Sequence, residues 1–345
     1  MPSRTNSESP RLTIGTVRTG LLRHSSAVSQ ELATRLLRLV PSEHVARSER
    51  PRAYAVSPEL LTGVDCPLPS RNGSRVRGVG TLASRATITG GRVLQSSAHT
   101  TVVRAERSYR QPWSHYLARP GVVEAIGKLN VKDVADGFTT DDRGSRGIET
   151  TIIADRAMDL VQASPLLDGK RPFAALRTTL HWAFETPDPE GPAESGRLAF
   201  VIVNDELRTL RLTSAAAPLE TVLDFCEDLA LHDWLLSTLL TLIDRAGFGQ
   251  DDWTRVTSRV RPTVDHLLHL WWPGARVPEG FMPFWDSLDK SLGFRQQWEM
   301  SVNRIRDQLA LGTLLTMLSS LESGTEKHES PLTRPAAFRA PADSP

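Results

Sequence analysis

The segments RATITGG (85–91) and RVLQSSAHTTVVRAE (92–106) carry the clearest structural signal in the chain. Both are rich in Val, Thr and Ile, and the pair Gly90-Gly91 lies between them. Strand-forming runs around a Gly-Gly pair are typical of a β-hairpin, because glycine accepts the positive φ angles that tight turns require. The sequence therefore predicts two neighbouring antiparallel strands in this region.

The chain before this hairpin continues the strand-rich pattern. Residues 45–84 are mostly extended in character, and LTIGTVRTGLL (12–22) alternates well enough for one strand, or for two broken at a glycine. Between them, SQELATRLLRLV (29–40) has the apolar spacing of an amphipathic helix, with Ser29 as its N-cap. The N-terminal part is thus expected to be a sheet with few helices.

The chain after the hairpin alternates between helical and extended patterns. Residues 120–136 and 148–163 are predicted to be helices, and the polar run 141–147 is predicted to be a loop. Residues 173–185 and 198–212 have strand patterns, and the Pro/Gly-rich segment between them indicates a second hairpin. Beyond these strands the sequence becomes helical, with long amphipathic segments at 218–246, 253–271 and 294–321.

These patterns together predict an α+β fold. A strand-rich N-terminal part would pack with a C-terminal bundle of about three long helices. The expected regions are a disordered lead-in at 1–10, a basic, strand-rich α+β region at 11–215, a helical region at 216–321 and a disordered tail at 322–345.

The net charge of +1 conceals a division of charge along the chain. Residues 1–120 contain 18 Lys+Arg and 7 Asp+Glu, a net of +11, whereas the remainder contains 23 and 33, a net of −10. A basic segment indicates either an anionic partner such as nucleic acid or pairing with an acidic segment of the same chain. The near-cancellation favours internal pairing. If an anion does bind, Arg92, Arg104 and Arg107 are the candidate residues, on the predicted sheet or at its ends.

Cysteine content and hydropathy indicate the compartment. Cys66 and Cys226 are the only cysteines, so the sequence has neither a disulfide framework nor a zinc-binding spacing. The N-terminus lacks the apolar region of a secretory signal. The most apolar run, 229–243, is too short for a bilayer span and contains His232 and Asp233. We therefore expect a soluble, cytoplasmic protein without a membrane anchor.

The helix predicted over 218–246 carries the main polar constellation. Asp228 and His232 lie four residues apart on it, and Asp265 and His269 have the same spacing on the next helix. Carboxylates and imidazoles on two helices could hold a divalent metal, but the Glu-x-x-His spacing of di-iron bundles is missing. Acidic residues that suit the helix dipole, together with surface ion pairs, explain the pattern equally. These four residues and Asp233 form the candidate polar cluster, and we predict neither a metal nor a cofactor.

Asp233 differs from its neighbours because its heptad position lies on the apolar face of the helix. A carboxylate buried there needs a cationic or hydrogen-bonding partner. Arg304 and Arg306 flank the apolar stripe of the last predicted helix, so we expect one of them to pair with Asp233. The alternative is a catalytic acid whose pKa is perturbed by burial.

No motif in the sequence assembles an active site. Residues 78–83 match the dinucleotide-binding pattern GxGxxA, but a strand pattern rather than a helix follows them. A glycine-marked bend in a sheet explains that pattern better. The motif Gly-x-Ser-x-Gly does not occur. The run QPWSHYLARPG (111–121) is either a recognition loop or the packed start of a helix.

Four stretches together resemble a family of actinobacterial proteins whose members carry no assigned activity. They are RPRAYAVSPELLTGVDCPLP (50–69), PWSHYLARPGVVEA (112–125), DFCEDLALHDWLL (224–236) and NRIRDQLALGTLL (303–315). The resemblance covers about residues 10–320. Genes of that family tend to lie beside genes for a variant P-loop protein and a methyltransferase. The resemblance implies a component of a multi-gene system with a P-loop ATPase-like partner, and it transfers no catalytic or binding residues.

The leading hypothesis is a non-enzymatic cytoplasmic interaction or accessory protein. One alternative is nucleic-acid binding through the Arg-rich N-terminal third. Another is an enzyme with a novel or metal-dependent site around Asp228, His232 and His269.

Overall fold

The prediction of an α+β fold is confirmed by the computed structural model of the chain, in which one mixed ten-stranded sheet packs with helices. The structure describes residues 12–73, 76–140, 147–186, 196–214, 217–246 and 253–326. The predicted lead-in at 1–10 lies outside these ranges, as do nearly all of the loop at 141–147 and residues 327–345 of the predicted tail.

The elements alternate along the N-terminal part and are helical in the C-terminal part. The strands are β1 (Leu12–Leu21), β2 (Ala46–Ser48), β3 (Tyr54–Val56), β4 (Leu60–Pro67), β5 (Arg77–Thr89), β6 (Val93–Arg104), β7 (Val122–Ile126), β8 (Thr178–Glu185), β9 (Arg197–Ile202) and β10 (Leu207–Thr213). The α-helices are α1 (Gln30–Leu36), α2 (Trp113–Leu117), α3 (Val131–Thr140), α4 (Thr150–Gln162), α5 (Leu219–Ala246), α6 (Trp253–His266), α7 (Met282–Leu292) and α8 (Phe294–Glu326). Short 3-10 turns cover Leu268–Leu270 and Glu279–Phe281.

The predicted hairpin is the β5–β6 pair. Gly90 and Gly91 both have positive φ angles at its turn, and Thr89 pairs with Val93. The two strands separate beyond the pair Ala83–His99, where β7 inserts between them, antiparallel to β5 and parallel to β6. A Cβ atom at Gly80 would lie 2.1 Å from the carbonyl oxygen of Val122, so this close approach requires glycine. The GxGxxA pattern is therefore part of a strand.

Both faces of the sheet are covered. The strand order is β2-β3-β5-β7-β6-β1-β8-β10-β9, with β4 beside β5. In the central strand β1, Leu12 and Ile14 pack in the cluster that includes α3 and α4, whereas Val17 and Leu21 pack with α5. Except at Arg18, β1 contains only apolar or small residues, as is typical of a strand that is buried on both faces. The result is a layer of helices on each side of the sheet.

Two predictions in the middle of the chain are wrong. Residues 120–136 contain the strand β7 and then the helix α3, because the β-branched run at Val122 is bounded by Gly121 and Gly127, both with positive φ. The strand pattern at 198–212 is broken by a turn at Asn204. The side-chain oxygen of Asn204 accepts hydrogen bonds from the backbone N–H groups of Glu206 and Leu207, both at 2.9 Å. The hairpin is therefore β9–β10, and β8 pairs in parallel with β10.

The C-terminal part is helical, as predicted, but the expectation of about three long helices is not confirmed. Its described residues contain four α-helices of 28, 14, 11 and 33 residues. Helix α7 lies between the predicted helical segments 253–271 and 294–321, and Gly293, with φ of 68°, separates it from α8. Within the described residues, no helix combines the length and hydropathy needed to cross a bilayer.

Candidate functional site

The main polar cluster lies between the sheet and the first half of helix α5. Glu220, Asp224, Glu227 and Asp228 follow one another at spacings of four, three and one, which brings their side chains to one side of the helix. That side faces β5 and β6, whose polar side chains point toward it. The carboxylates of α5 therefore meet the sheet, and only Glu227 and Asp228 among them are fully buried.

Arg85 on β5 gathers three of these carboxylates. Its Nε donates to Glu227 Oε1 at 2.7 Å, its Nη1 to Glu220 Oε2 at 2.7 Å and its Nη2 to Asp224 Oδ1 at 3.0 Å. The Arg85 side chain is buried, and Glu227 is 1% exposed. A buried guanidinium needs such compensation, and these carboxylates raise its pKa although burial alone would lower it.

Arg276, in the segment before α7, completes the network from the other side. Its Nη1 lies 2.9 Å from Glu227 Oε2, its Nη2 donates to Asp224 Oδ1 at 2.5 Å, and its guanidinium stacks on the Tyr54 ring. Glu227 also accepts a hydrogen bond from Ser97 Oγ at 2.7 Å. Burial opposes ionisation of Glu227, but Arg85 and Arg276 outweigh it and lower its pKa to about 2.

A second group surrounds Asp228, which is completely buried. Its Oδ1 accepts from Arg52 Nη2 at 2.5 Å, and its Oδ2 accepts from the backbone N–H of Gly274 at 2.9 Å. Arg52 also donates to the carbonyl oxygen of Leu270 at 3.2 Å. These bonds fasten the segment 270–274 to helix α5 and to the strand-rich part of the chain.

His232, one turn after Asp228, is also completely buried. Its Nδ1 lies 2.7 Å from the backbone oxygen of Asp228, and its Nε2 lies 3.3 Å from Arg52 Nη1. This arrangement suits a neutral imidazole with its proton on Nδ1. Burial lowers the pKa of His232 to about 4, and the rings of Trp271 and Trp285 pack edge-on against it.

The structure divides the predicted polar cluster. Asp228 and His232 lie together, with His232 Nδ1 3.4 Å from Asp228 Oδ2. Asp265 is exposed and pairs with Arg261 on its own helix, and His269 lies in the 3-10 turn after α6. In the part of the chain that the structure describes, no three His, Cys, Asp or Glu side chains are arranged to hold a metal ion.

Asp233 is buried, as its heptad position indicates, but its predicted partner is wrong. Arg208 on β10 donates from Nε to Asp233 Oδ2 at 2.6 Å and also bonds the carbonyl oxygen of Asn204 and Ser237 Oγ. Burial raises the pKa of Asp233, and Arg208 opposes that shift. Helix α5 packs directly on the sheet, so a strand rather than α8 supplies the cation.

The candidate anion-binding arginines do not form one site. Arg92 is buried at the hairpin turn and donates to the backbone oxygens of His24 and Ser25. Arg104 lies exposed at the opposite end of β6, 12 residues away, which is roughly 40 Å along a strand. Arg107 lies beyond it and contacts Tyr109. Only the last two share a surface.

Some of the basic residues in the first 120 positions form ion pairs with acidic residues of the C-terminal part. Arg52 and Arg85 come from the basic third, and both pair with carboxylates of α5. Sequence reasoning missed them, together with Glu227 and Arg276. Glu227 precedes a candidate residue directly, but no local pattern connects it with an arginine 142 positions away.

The network is suited to holding the sheet, α5 and the segment 270–276 together. The carboxylates of Glu227 and Asp228 are bonded to arginine, His232 is inaccessible to solvent, and burial raises the pKa of the Cys226 thiol. Groups that must exchange protons with a substrate need access to it, which this burial denies them.

Comparisons of the chain with protein-family models, with curated proteins and with solved structures find no match.

Proposed function

We propose that this chain is a non-enzymatic, cytoplasmic interaction protein that docks a partner through the C-terminal half of helix α8. The observation that carries the proposal is a contiguous apolar face on that helix. Leu311, Leu314, Leu315 and Leu318 follow the spacing of one helix face, and each is roughly half exposed. We call these four residues the leucine face.

The extent of the leucine face supports a role in binding. Its exposed apolar surface is on the order of 400 Å², a size at which an apolar patch on a monomer often marks an interaction site. Exposed leucines scattered singly would need no explanation, as with Leu160 on α4. Four on one helix face form a surface that another helix can cover.

The other side of the same helix segment borders a groove. A groove of about 1080 Å³ lies between α6 and α8, lined by Leu309, Thr313 and Met317 from α8 and by Thr257 and Arg261 from α6. Its α8 wall runs from Leu309 to Ser320, about 17 Å or three helical turns. Among the residues that the structure describes, none covers either side of Leu309–Ser320, which favours a helical partner with apolar anchors at i, i+3, i+4 and i+7.

The resemblance to the actinobacterial family supplies the candidate partner, a P-loop ATPase-like protein encoded nearby. In this proposal, the network around Glu227 and Asp228 keeps the core rigid, and α8 presents the docking surface. A second copy of the chain is the competing occupant of the leucine face.

The double variant Leu314→Lys/Leu318→Lys is expected to abolish binding of the partner without lowering the free energy of unfolding. Both side chains are exposed, so lysine is tolerated in the free protein, whereas burial of two ammonium groups would oppose docking. Affinity purification of tagged full-length chain from its native host measures partner recovery. Leu160→Lys is the matched control, because Leu160 is 58% exposed and Leu314 is 57% exposed.

Recovery of the P-loop protein with wild type and Leu160→Lys, but not with the double variant, supports the proposal. Repeated recovery of the chain alone contradicts it. Recovery of only a second copy, measured by light scattering of the eluted species, also contradicts an accessory role.

A further inference from the structure

The segment 104–119, between β6 and β7, forms an exposed surface rich in arginine and aromatic residues. We call it the Arg-aromatic loop. Its sequence, RAERSYRQPWSHYLAR, contains four arginines and a single acidic residue, Glu106. Tyr109 is 59% exposed, and Trp113 and Leu117 are also exposed. Exposed aromatic rings between guanidinium groups call for an explanation beyond core packing.

The loop is held in place by contacts within it and with β4. Tyr116 is buried and accepts a hydrogen bond at its hydroxyl from the backbone N–H of Gln111 at 2.9 Å. Trp113 packs edge-on against Tyr116, with the ring centroids 5.9 Å apart. A Cβ atom at Gly63 would lie 3.2 Å from the Trp113 ring, so the indole rests directly on β4. The Trp113 and Tyr116 rings are therefore held in place by the protein's own contacts.

Two arginines lie over these rings. The Arg107 guanidinium carbon is 5.7 Å from the Tyr109 ring centroid, and that of Arg110 is 5.0 Å from the Trp113 centroid. Arg107 also donates to the Tyr109 hydroxyl at 2.9 Å. The Arg107–Tyr109 pair combines a flat aromatic face with a cation that can reach an anionic group on a stacked ligand.

The charge of the loop is only partly neutralised. Arg110 pairs with Asp65, and Arg119 pairs with Glu124 at 2.6 Å. Within the described ranges, Arg104 and Arg107 have no carboxylate partner. The surface beside Tyr109 therefore carries two guanidinium groups outside any ion pair, against the single carboxylate of Glu106, which favours a ligand that is both anionic and aromatic.

We propose that the Arg-aromatic loop binds single-stranded nucleic acid. Bases stack on the exposed Tyr109 ring, while Arg104 and Arg107 pair with phosphates. A duplex would hide the base faces, and an acidic peptide would use the arginines but leave the Tyr109 ring without a stacking partner. This site is remote in sequence from the leucine face. A result that contradicts either proposal therefore leaves the other unaffected.

Fluorescence anisotropy of a fluorescein-labelled 20-nucleotide oligo(dT) with the full-length chain tests the proposal. Binding is expected at 50 mM NaCl and is expected to weaken steeply by 200 mM, because each neutralised phosphate contributes about −0.7 to the log–log salt slope. Arg104→Ala/Arg107→Ala is expected to reduce that slope by about 1.4. Tyr109→Ala is expected to weaken binding about tenfold, and Tyr109→Phe to retain it, because stacking needs the ring and not the hydroxyl.

Arg38→Ala/Arg47→Ala removes two exposed arginines elsewhere and is the control, with no expected change. Absence of binding at 50 mM salt overturns the proposal, as does an equal loss in the control variant. Displacement of oligo(dT) by polyglutamate as readily as by unlabelled oligo(dT) also overturns it, in favour of an acidic protein partner. Circular dichroism verifies the fold of each variant. If a variant misfolds, the proposal is still tested by the salt dependence of binding to the wild-type chain and by competition with polyglutamate and unlabelled oligo(dT).

Discussion

Glu227→Ala is expected to lower the free energy of unfolding by about 3–5 kcal/mol, as measured by urea denaturation at neutral pH. Glu227 is completely buried and neutralises both Arg85 and Arg276, which are themselves buried. Its removal leaves two buried guanidinium groups short of a carboxylate. It also deprives Ser97 of its hydrogen-bond acceptor.

The control for this experiment is Glu220→Ala. Glu220 pairs with the same arginine at the same 2.7 Å distance, but its side chain is 66% exposed. Water can replace an exposed carboxylate, so the expected loss is below about 1 kcal/mol. Comparable losses for the two variants would contradict the assignment of Glu227 as the centre of the network, and so would a loss below 1 kcal/mol for Glu227→Ala.

The free energy of unfolding is expected to fall steeply as pH falls from 6.5 to 4. His99 and His232 are buried, and burial lowers the pKa of each from an ordinary 6.5 to about 4. In this window both are neutral in the native state and protonated in the unfolded state, so unfolding takes up protons. Each histidine contributes about 3 kcal/mol over the window, or about 1.4 kcal/mol per pH unit. Below pH 4.5, Glu227, with its pKa lowered to about 2, adds a loss in the same direction.

Urea denaturation at several pH values between 4 and 7 measures this dependence. His99→Gln and His232→Gln are each expected to reduce the slope by about one proton, whatever their effect on stability at neutral pH. The slope separates titration from packing, because a cavity or a lost contact lowers stability equally at every pH. A slope unchanged in both variants would show that neither buried histidine is neutral in the native state.

Local signals in the sequence predicted local structure well. The hairpin at Gly90-Gly91 and helix α4 could be predicted because residue spacing and turn residues, which extend over only a few positions, determine them. The strand β7 was missed because its five residues are too few for a periodic pattern, and because its place between β5 and β6 depends on Gly80, some 40 positions earlier. The pairing of strands depends on contacts between residues that are distant in sequence, so local patterns do not predict it.

The candidate site was predictable only in part, for a related reason. The position of Asp233 in the heptad pattern was enough to predict its burial, since helical periodicity is local. Its partner Arg208 and the pairing of Arg85 with Glu227 depend on how α5 lies across the sheet. Likewise, the leucine face has the spacing of an ordinary core helix. Only the tertiary structure reveals that no described residue covers it.

The most direct test of the proposed function is site-specific photo-crosslinking in the native host. A benzophenone amino acid placed at position 314 reports what touches the leucine face, and the same residue at position 160 reports a matched exposed site. We expect position 314, and not position 160, to form a cross-link to a different protein, which mass spectrometry would identify as a P-loop protein. A cross-link only to a second copy of the chain, or equal labelling at both positions, would contradict the account.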